Sequence, residues 1–124
     1  MAGTVTPGSK RKGTLDGEYQ SLLAYPFDFT ADVADGSYPS VNLTNVTGYL
    51  AAVRVIFDAQ APDNIDVQVA DGDGVDLLGG SGSGFTATGQ IILGPPAAFI
   101  EQLIIKLTGN TVNSAGVRVV LYVF

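Results

Sequence analysis

The stretch from Tyr49 to Leu78 decides the fold, and it divides into YLAAVRVIFD (49–58), AQAPDN (59–64), IDVQVAD (65–71) and GDGVDLL (72–78). In the first and third segments every second residue is apolar, as in Val53, Val55 and Phe57. Side chains of a strand alternate between its two faces, so this period predicts two half-buried strands. Pro62-Asp63-Asn64 is a turn composition, because Pro fixes φ while Asp and Asn tolerate unusual backbone angles. The stretch therefore predicts two antiparallel strands that pair with each other.

The rest of the chain repeats short apolar runs between turns rich in Gly and Pro. A length of 124 residues with 16 glycines predicts one all-β domain over residues 15–124. The expected architecture is an antiparallel two-sheet β-sandwich or jelly roll of about eight strands. Pro26 predicts an edge strand, since proline cannot donate to a ladder, and Gly94-Pro95-Pro96 predicts the end of a strand that starts at Phe85. Val117–Phe124 is apolar on both faces, which predicts either a central strand or one buried at a subunit interface.

The composition argues against most enzyme chemistry. The chain has no Cys and no His, so disulfides, thiolate sites, the commonest metal ligand and the commonest general base are missing together. The twelve acidic residues show no spacing that singles out a catalytic pair. The sequence predicts a protein that is not an enzyme and uses no cofactor.

Charge is distributed unevenly along the chain. Lys10, Arg11 and Lys12 give residues 1–12 a net charge of +3, whereas residues 13–124 hold three basic and twelve acidic residues, a net charge of −9. A body this acidic predicts no nucleic-acid binding. Residues 1–14, which are small, polar and basic, are expected to form a flexible N-terminal arm.

The sequence gives no sign of a membrane segment or a secretory signal. The uncharged apolar runs are all much shorter than the roughly 20 residues that a membrane span needs. The N-terminal residues have no apolar h-region, so synthesis in a cytoplasm is expected.

Two loop motifs invite a ligand. Asp71, Asp73 and Asp76 resemble the start of a calcium loop, but Val75 and Gly82 stand where an EF-hand needs an oxygen ligand and its final Glu. A turn with solvated acids is the expected structure, and weak calcium binding stays open. The glycine run 79–84 lacks the Lys-Ser/Thr ending and the following helix of a phosphate loop.

Apolar surface is in surplus for a single sandwich. The residues concerned lie on faces that should be polar in a monomer: Val120, Tyr122, Phe124, Ile56, Leu50 and Ile104. Exposed patches of this kind mark interaction sites. The sequence predicts an oligomer interface that is formed by Val120, Tyr122, Phe124 and Ile56.

An ordered series of motifs connects the chain to a known class of proteins: DNIDVQV (63–69), DGDGVDLLGG (71–80), IKLTGN (105–110) and GVRVVLYV (116–123). The series, over about residues 48–124, resembles small β-rich virion proteins of tailed bacteriophages. The resemblance implies a capsid decoration, or cement, protein. Such a protein binds the outer surface of the major capsid shell, typically as a homotrimer, and stabilises it.

On this resemblance the expected location is the capsid surface of the virion, and the expected partner is the major capsid protein. Lys10, Arg11 and Lys12 of the arm would then meet acidic groups on the shell. Deletion of residues 1–12 is expected to weaken shell binding. The alternative is a tail- or fibre-associated β-sandwich that binds carbohydrate or a receptor through loop tyrosines such as Tyr38 and Tyr49.

Overall fold

The chain folds entirely from β-strands over the residues that its computed structural model describes, which are 3–8, 11–14 and 21–124. These residues contain nine strands and no helix. The strands are β1 (Thr4–Pro7), β2 (Arg11–Thr14), β3 (Ser21–Thr30), β4 (Val41–Thr44), β5 (Gly48–Phe57), β6 (Asp66–Ala70), β7 (Gly89–Phe99), β8 (Gln102–Thr108) and β9 (Gly116–Val123). The predicted all-β class is confirmed.

The strands form two antiparallel sheets that pack as a sandwich. The large sheet has the order β1–β3–β9–β5–β7, with β2 also paired to β3, and the small sheet has the order β4–β8–β6. Strands β1 and β2 lie in series along the same edge of β3, opposite residues 27–30 and 21–24 respectively. They therefore share one of five strand positions in the large sheet, which with the small sheet gives eight positions in all.

The core lies between the sheets and is built by the alternation that the sequence shows. Val53 and Val55 of the large sheet are fully buried, as are Leu103 and Ile105 of the small sheet. Each such side chain contributes about 1.5–3 kcal/mol when it is removed from water. Strand β9 lies at the centre of the large sheet, between β3 and β5. Of the two alternatives predicted for Val117–Phe124 the central strand is confirmed, and burial at a subunit interface stays a prediction.

The predicted pairing of the two strands in the Tyr49–Leu78 stretch is wrong. Strand β5 pairs with β7 and β9 in the large sheet, whereas β6 pairs with β8 in the small sheet. The connection between them crosses from one sheet to the other. Asp63 anchors it, because its backbone N–H donates to Asn110 Oδ1 at 3.3 Å and its carboxylate accepts the Thr111 N–H at 2.9 Å. Period two identifies a strand and its buried face, but it does not identify the neighbouring strand.

Two proline predictions also need correction. Strand β7 continues through Gly94-Pro95-Pro96, where the Gly94–Pro95 bond is cis. Its pairing with β5 jumps from Ile92 to Ala97, so the prolines lie in a bulge on an edge strand, where a missing donor does no harm.

Strand β3, in turn, is internal rather than an edge. The Gly8 N–H donates to the Pro26 carbonyl at 2.7 Å. In an antiparallel pair the N and O of one residue face the same neighbour. The missing donor of Pro26 therefore faces the break between β1 and β2.

The structure differs from the expected flexible arm where it describes residues 1–14. The two described strands of this segment are hydrogen-bonded to β3, and Val5 packs against the core. Arg11 and Lys12 are part of β2, opposite Ala24 and Leu23. Lys10 lies outside the described residues.

Candidate interaction surface

One face of the large sheet carries the predicted interface residues. Along β9 the residues Val117, Val119, Leu121 and Val123 point into the core, so the alternate residues form the opposite face. We call this surface the outer face of the large sheet. Its members, by strand, are Arg118, Val120, Tyr122 and Phe124 with β9; Tyr49, Ala52, Arg54 and Ile56 on β5; Ala24, Pro26 and Asp28 on β3; and Gln90 and Ile92 on β7.

The half of this face near Phe124 is apolar and aromatic. Ile92, Ala52 and Tyr122 are successive neighbours across β7, β5 and β9. The ring of Tyr49 stacks on that of Phe124, with a centroid distance of 5.7 Å and an interplanar angle of 24°. Tyr49 remains 50% exposed and Ile92 71% exposed. This half therefore presents a ready apolar surface to another molecule.

The other half carries two arginines in different states. Arg118 donates from Nε and Nη2 to Asp28 at 2.6 and 3.0 Å, and these hydrogen bonds raise the pKa of Arg118. Arg54 lies 5.6 Å above the ring of Tyr122 and donates to Gln90 Oε1 at 3.4 Å. Within the described part of the chain Arg118–Asp28 is the only ion pair, so Arg54 has no carboxylate partner there.

The four predicted interface residues share this face but differ in exposure. Tyr122, Phe124 and Ile56 are partly exposed. Val120 is only 1% exposed in the single chain, although it does not belong to the core cluster between the sheets. Val120 therefore needs no second subunit to leave water, and the interface prediction now depends on the other three.

The acidic turn after β6 uses its carboxylates to hold backbone amides. Asp71 Oδ1 accepts from the N–H groups of Asp73 and Val75 at 2.9 and 3.0 Å. Asp76 accepts from Val69, Leu78 and Gly80 at 3.1–3.2 Å. Across the described residues, no group of three or more acidic side chains is arranged to hold a metal ion. The expected turn is present, but Asp71 and Asp76 cap its backbone amides instead of being merely solvated.

The glycine loop after this turn serves its own chain in the same way. The Gly84 N–H donates to Asp66 Oδ1 at 2.7 Å, and the Gly82 carbonyl accepts from the Val67 N–H at 2.8 Å. Two of the loop's amides, those of Gly80 and Gly84, thus point to carboxylates. A phosphate would meet negative charge here.

A groove of about 450 Å³ lies between the acidic turn and the connection from β7 to β8. Asp71, Asp73, Ile100, Glu101 and Gln102 line it, together with Ala98 and Phe99. Ile100 is 74% exposed. We call Ile100, Glu101, Asp71 and Asp73 the acidic tip, which joins one apolar side chain to three carboxylates.

The carbohydrate-binding alternative requires Tyr38 to lie on an exposed loop, but Tyr38 is buried. It is 8% exposed, its hydroxyl donates to the Ala115 carbonyl at 3.1 Å, and its ring meets Phe29 edge-on at 6.1 Å. Burial, followed by the charges of Asp58 and Asp63, raises the pKa of Tyr38 to about 12. Of the two predicted tyrosines, only Tyr49 is accessible.

Sequence reasoning missed the arginines of this surface. The sequence shows Arg54 and Arg118 only as two of its basic residues. Their position beside Val120 follows from the strand register. A usable signal existed, because residues 13–124 contain three basic residues and two of them alternate with apolar residues in strands.

No helix in the described ranges is long and apolar enough to cross a membrane. No family model matches the chain, and no curated protein is significantly similar to it.

Proposed function

We propose that this chain is a non-enzymatic structural protein of a tailed-bacteriophage virion, namely a capsid decoration protein. In this role it binds the outer surface of the major capsid shell as an oligomer, with a homotrimer expected, and stabilises the shell. The motif series over residues 48–124 supports the virion assignment by resemblance. The sandwich fold and the use of Asp71 and Asp76 as turn caps are consistent with a structural role.

The observation that carries the proposal is the difference between the two outer surfaces of the sandwich. The outer face of the large sheet presents Tyr49, Ile92 and Tyr122 with a cationic border. The small sheet presents Asn42, Gln68 and Lys106, all exposed, and the half-buried Ile104 on its outer face. A cluster of apolar and aromatic side chains on one outer face of a sandwich is typical of a protein-interaction surface.

The proposed mechanism is mechanical. Each subunit supplies a rigid sandwich, copies associate through apolar surface, and the assembly touches several capsid subunits at once. Weak single contacts then combine through effective concentration. Lys10, Arg11 and Lys12 are the proposed contacts to acidic groups of the shell.

Co-sedimentation with DNA-free shells of the corresponding phage tests the proposal. Deletion of residues 1–12 would also remove β1 and the packing of Val5, so the sharper variant is Arg11→Glu with Lys12→Glu. We expect this double variant to bind shells at least about tenfold more weakly, as loss of close charge contacts allows. Lys106→Glu reverses an exposed charge on the small sheet and serves as the matched control. Failure of the native protein to bind any shell would overturn the proposal.

The second candidate is a tail- or fibre-associated binding module for carbohydrate. One observation favours it: Tyr49 is half-exposed and stacked on Phe124, and flat aromatic platforms suit sugar rings. A glycan array that shows binding lost in Tyr49→Ala, without binding to shells, would favour this candidate over decoration.

A further inference from the structure

We propose that copies of this chain associate head to tail, with the acidic tip of one copy docked on the outer face of the large sheet of the next. The central contact is Ile100 on the Tyr49–Phe124–Tyr122 patch, with Glu101 directed to Arg54. This inference rests on the proposed function only for the expectation that copies associate. What the inference adds is the pair of surfaces that are in contact, namely the acidic tip and the outer face of the large sheet.

Arg54 is the cation on the outer face of the large sheet that has no carboxylate partner among the described residues. Within the ranges that the structure describes, its guanidinium lies over Tyr122 and makes a single long hydrogen bond, to Gln90, while Arg118 is already paired with Asp28. A guanidinium held over an aromatic ring keeps its donors free for a carboxylate. The surface around it is apolar and partly exposed at Ile92 and Tyr49. An acidic group next to an apolar side chain is the complementary chemistry.

The acidic tip has that chemistry and is held in a fixed shape. The Glu101 N–H donates to Thr47 Oγ1 at 3.0 Å, and the Glu101 carbonyl accepts from the Asn45 N–H at 2.8 Å. Glu101 itself has a φ of 65°, which turns the chain sharply and leaves Ile100 projecting at 74% exposure. Because the backbone is already fixed, docking of this turn costs little conformational entropy.

Local charge complementarity between the acidic tip and Arg54 points to a second copy as the occupant, and it has to outweigh the overall repulsion between two acidic chains. The chain has a net charge of −6 and, beyond residue 12, only Arg54, Lys106 and Arg118 as cations. Face-to-face association of two outer faces would put Arg54 and Arg118 of both copies into one interface, where Asp28, the carboxylate on this face, is already paired with Arg118. Head-to-tail contact instead brings a cation to Glu101, Asp71 and Asp73, and such complementarity sets orientation.

A head-to-tail contact can also close into a ring. The tip and the face are different surfaces of one chain, so each copy can give its tip to one neighbour and receive a tip from another. Ala98 lines the groove at the tip and pairs with Tyr49 on the face, so the two surfaces adjoin. Adjoining surfaces favour a small closed ring, in agreement with the expected trimer.

Charge exchange tests the contact directly. Sizing with light scattering over a dilution series, at low and at high salt, gives the concentration at which the native protein dissociates. We expect Arg54→Glu and Glu101→Arg each to raise that concentration about tenfold or more, and the combined variant to recover most of the loss. Ile100→Ser should weaken association at all salt concentrations, whereas Lys106→Glu should have no effect. Circular dichroism and a thermal melt confirm that each variant is folded.

Three results would overturn the inference: a native protein that is monomeric at every concentration, association unchanged by both single reversals, or a double variant no better than the worse single one. Shell co-sedimentation of the same proteins separates this inference from the proposed function. Shell binding without the charge-exchange effect leaves decoration standing and removes the head-to-tail contact. If the double variant recovers association but none of the proteins binds shells, the head-to-tail contact stands and the decoration function is overturned.

Discussion

The two outer surfaces of the sandwich arise from the same alternation of side chains along the strands, yet their outward-pointing residues differ in exposure. In β9, at the centre of the large sheet, the outward residue Val120 is 1% exposed and its neighbour Tyr122 lies under Arg54. In β8, at the centre of the small sheet, the outward residues Lys106 and Thr108 are exposed. The difference teaches that a strand apolar on both faces can be covered on its second face within one chain. Long side chains and residues of the neighbouring strands cover part of that second face.

The largest expected effect comes from exchanging the residues of the two faces. Val120→Lys places an ammonium group in a buried site beside Arg54 and Arg118, and should lower the free energy of unfolding by about 3 kcal/mol or more. Lys106→Val changes an exposed position and should stay within about 0.5 kcal/mol. Urea unfolding midpoints measure both. Equal effects would mean that the two faces are alike after all.

The acidic turn beside the small sheet gives the next effect. Asp76→Ala removes an acceptor shared by three backbone N–H groups, and should cost about 2 kcal/mol. Asp73→Ala is the matched control, since no hydrogen bond to the Asp73 carboxylate is found in the described residues. A chelator should leave the melting temperature of the native protein unchanged. A chelator-induced drop would instead revive the calcium hypothesis for Asp71, Asp73 and Asp76.

The tyrosines separate the interior from the outer face of the large sheet. Tyr38→Phe loses the hydrogen bond to the Ala115 carbonyl and should cost about 1 kcal/mol, whereas Tyr49→Phe on the outer face should be near neutral. The pKa of Tyr38 is raised to about 12 in the folded chain, above the usual value of about 10.

The sign of the pH effect follows, because the folded state holds the Tyr38 proton more tightly than the unfolded state. The stability from this group is fully present below pH 10 and is lost as pH rises from about 10 through 12. Across this pH range the free energy of unfolding should fall less steeply for Tyr38→Phe than for the native protein. Parallel curves would show that Tyr38 is not buried.

The smallest effect is expected from the ion pair at the border of the outer face. The side chains of Arg118 and Asp28 are 43% and 46% exposed, so water and salt screen them. Asp28→Asn should change stability by less than about 1 kcal/mol, and by less still in 0.5 M salt, about the regime where the Debye length is a few ångströms. A loss above about 2 kcal/mol would show that this pair, rather than apolar packing, keeps Val120 out of water.

Much of the fold was predictable because burial leaves a direct trace in the sequence. Val53, Val55, Val67 and Val69 alternate with polar residues and are all buried, and the doubly apolar Val117–Phe124 segment gave the central strand. Pairing was not predictable in the same way. The contact between β5 and β9 joins residues 60 or more positions apart, and no local pattern records it.

The candidate surface was predictable only in part. The apolar members Tyr122, Phe124 and Ile56 stood out because they sit where polar residues are expected. The burial of Tyr38 did not, since its neighbours Ser37 and Pro39 are typical of a turn and the Ala115 carbonyl that accepts its hydrogen bond is 77 positions away. The place of Arg54 over Tyr122 follows from register and rotamer, which composition does not encode.

The strand order has a consequence for how the chain matures on the ribosome. Strand β9 holds β3 and β5 together, yet it is the last described strand to be synthesised. Until it emerges, the exposed edges of β3 and β5 have no native partner between them, and contacts this distant in sequence also form slowly. A nascent chain arrested before residue 116 should therefore be protease-sensitive and dependent on chaperones. Release of the last strand is the event that commits the domain to its fold.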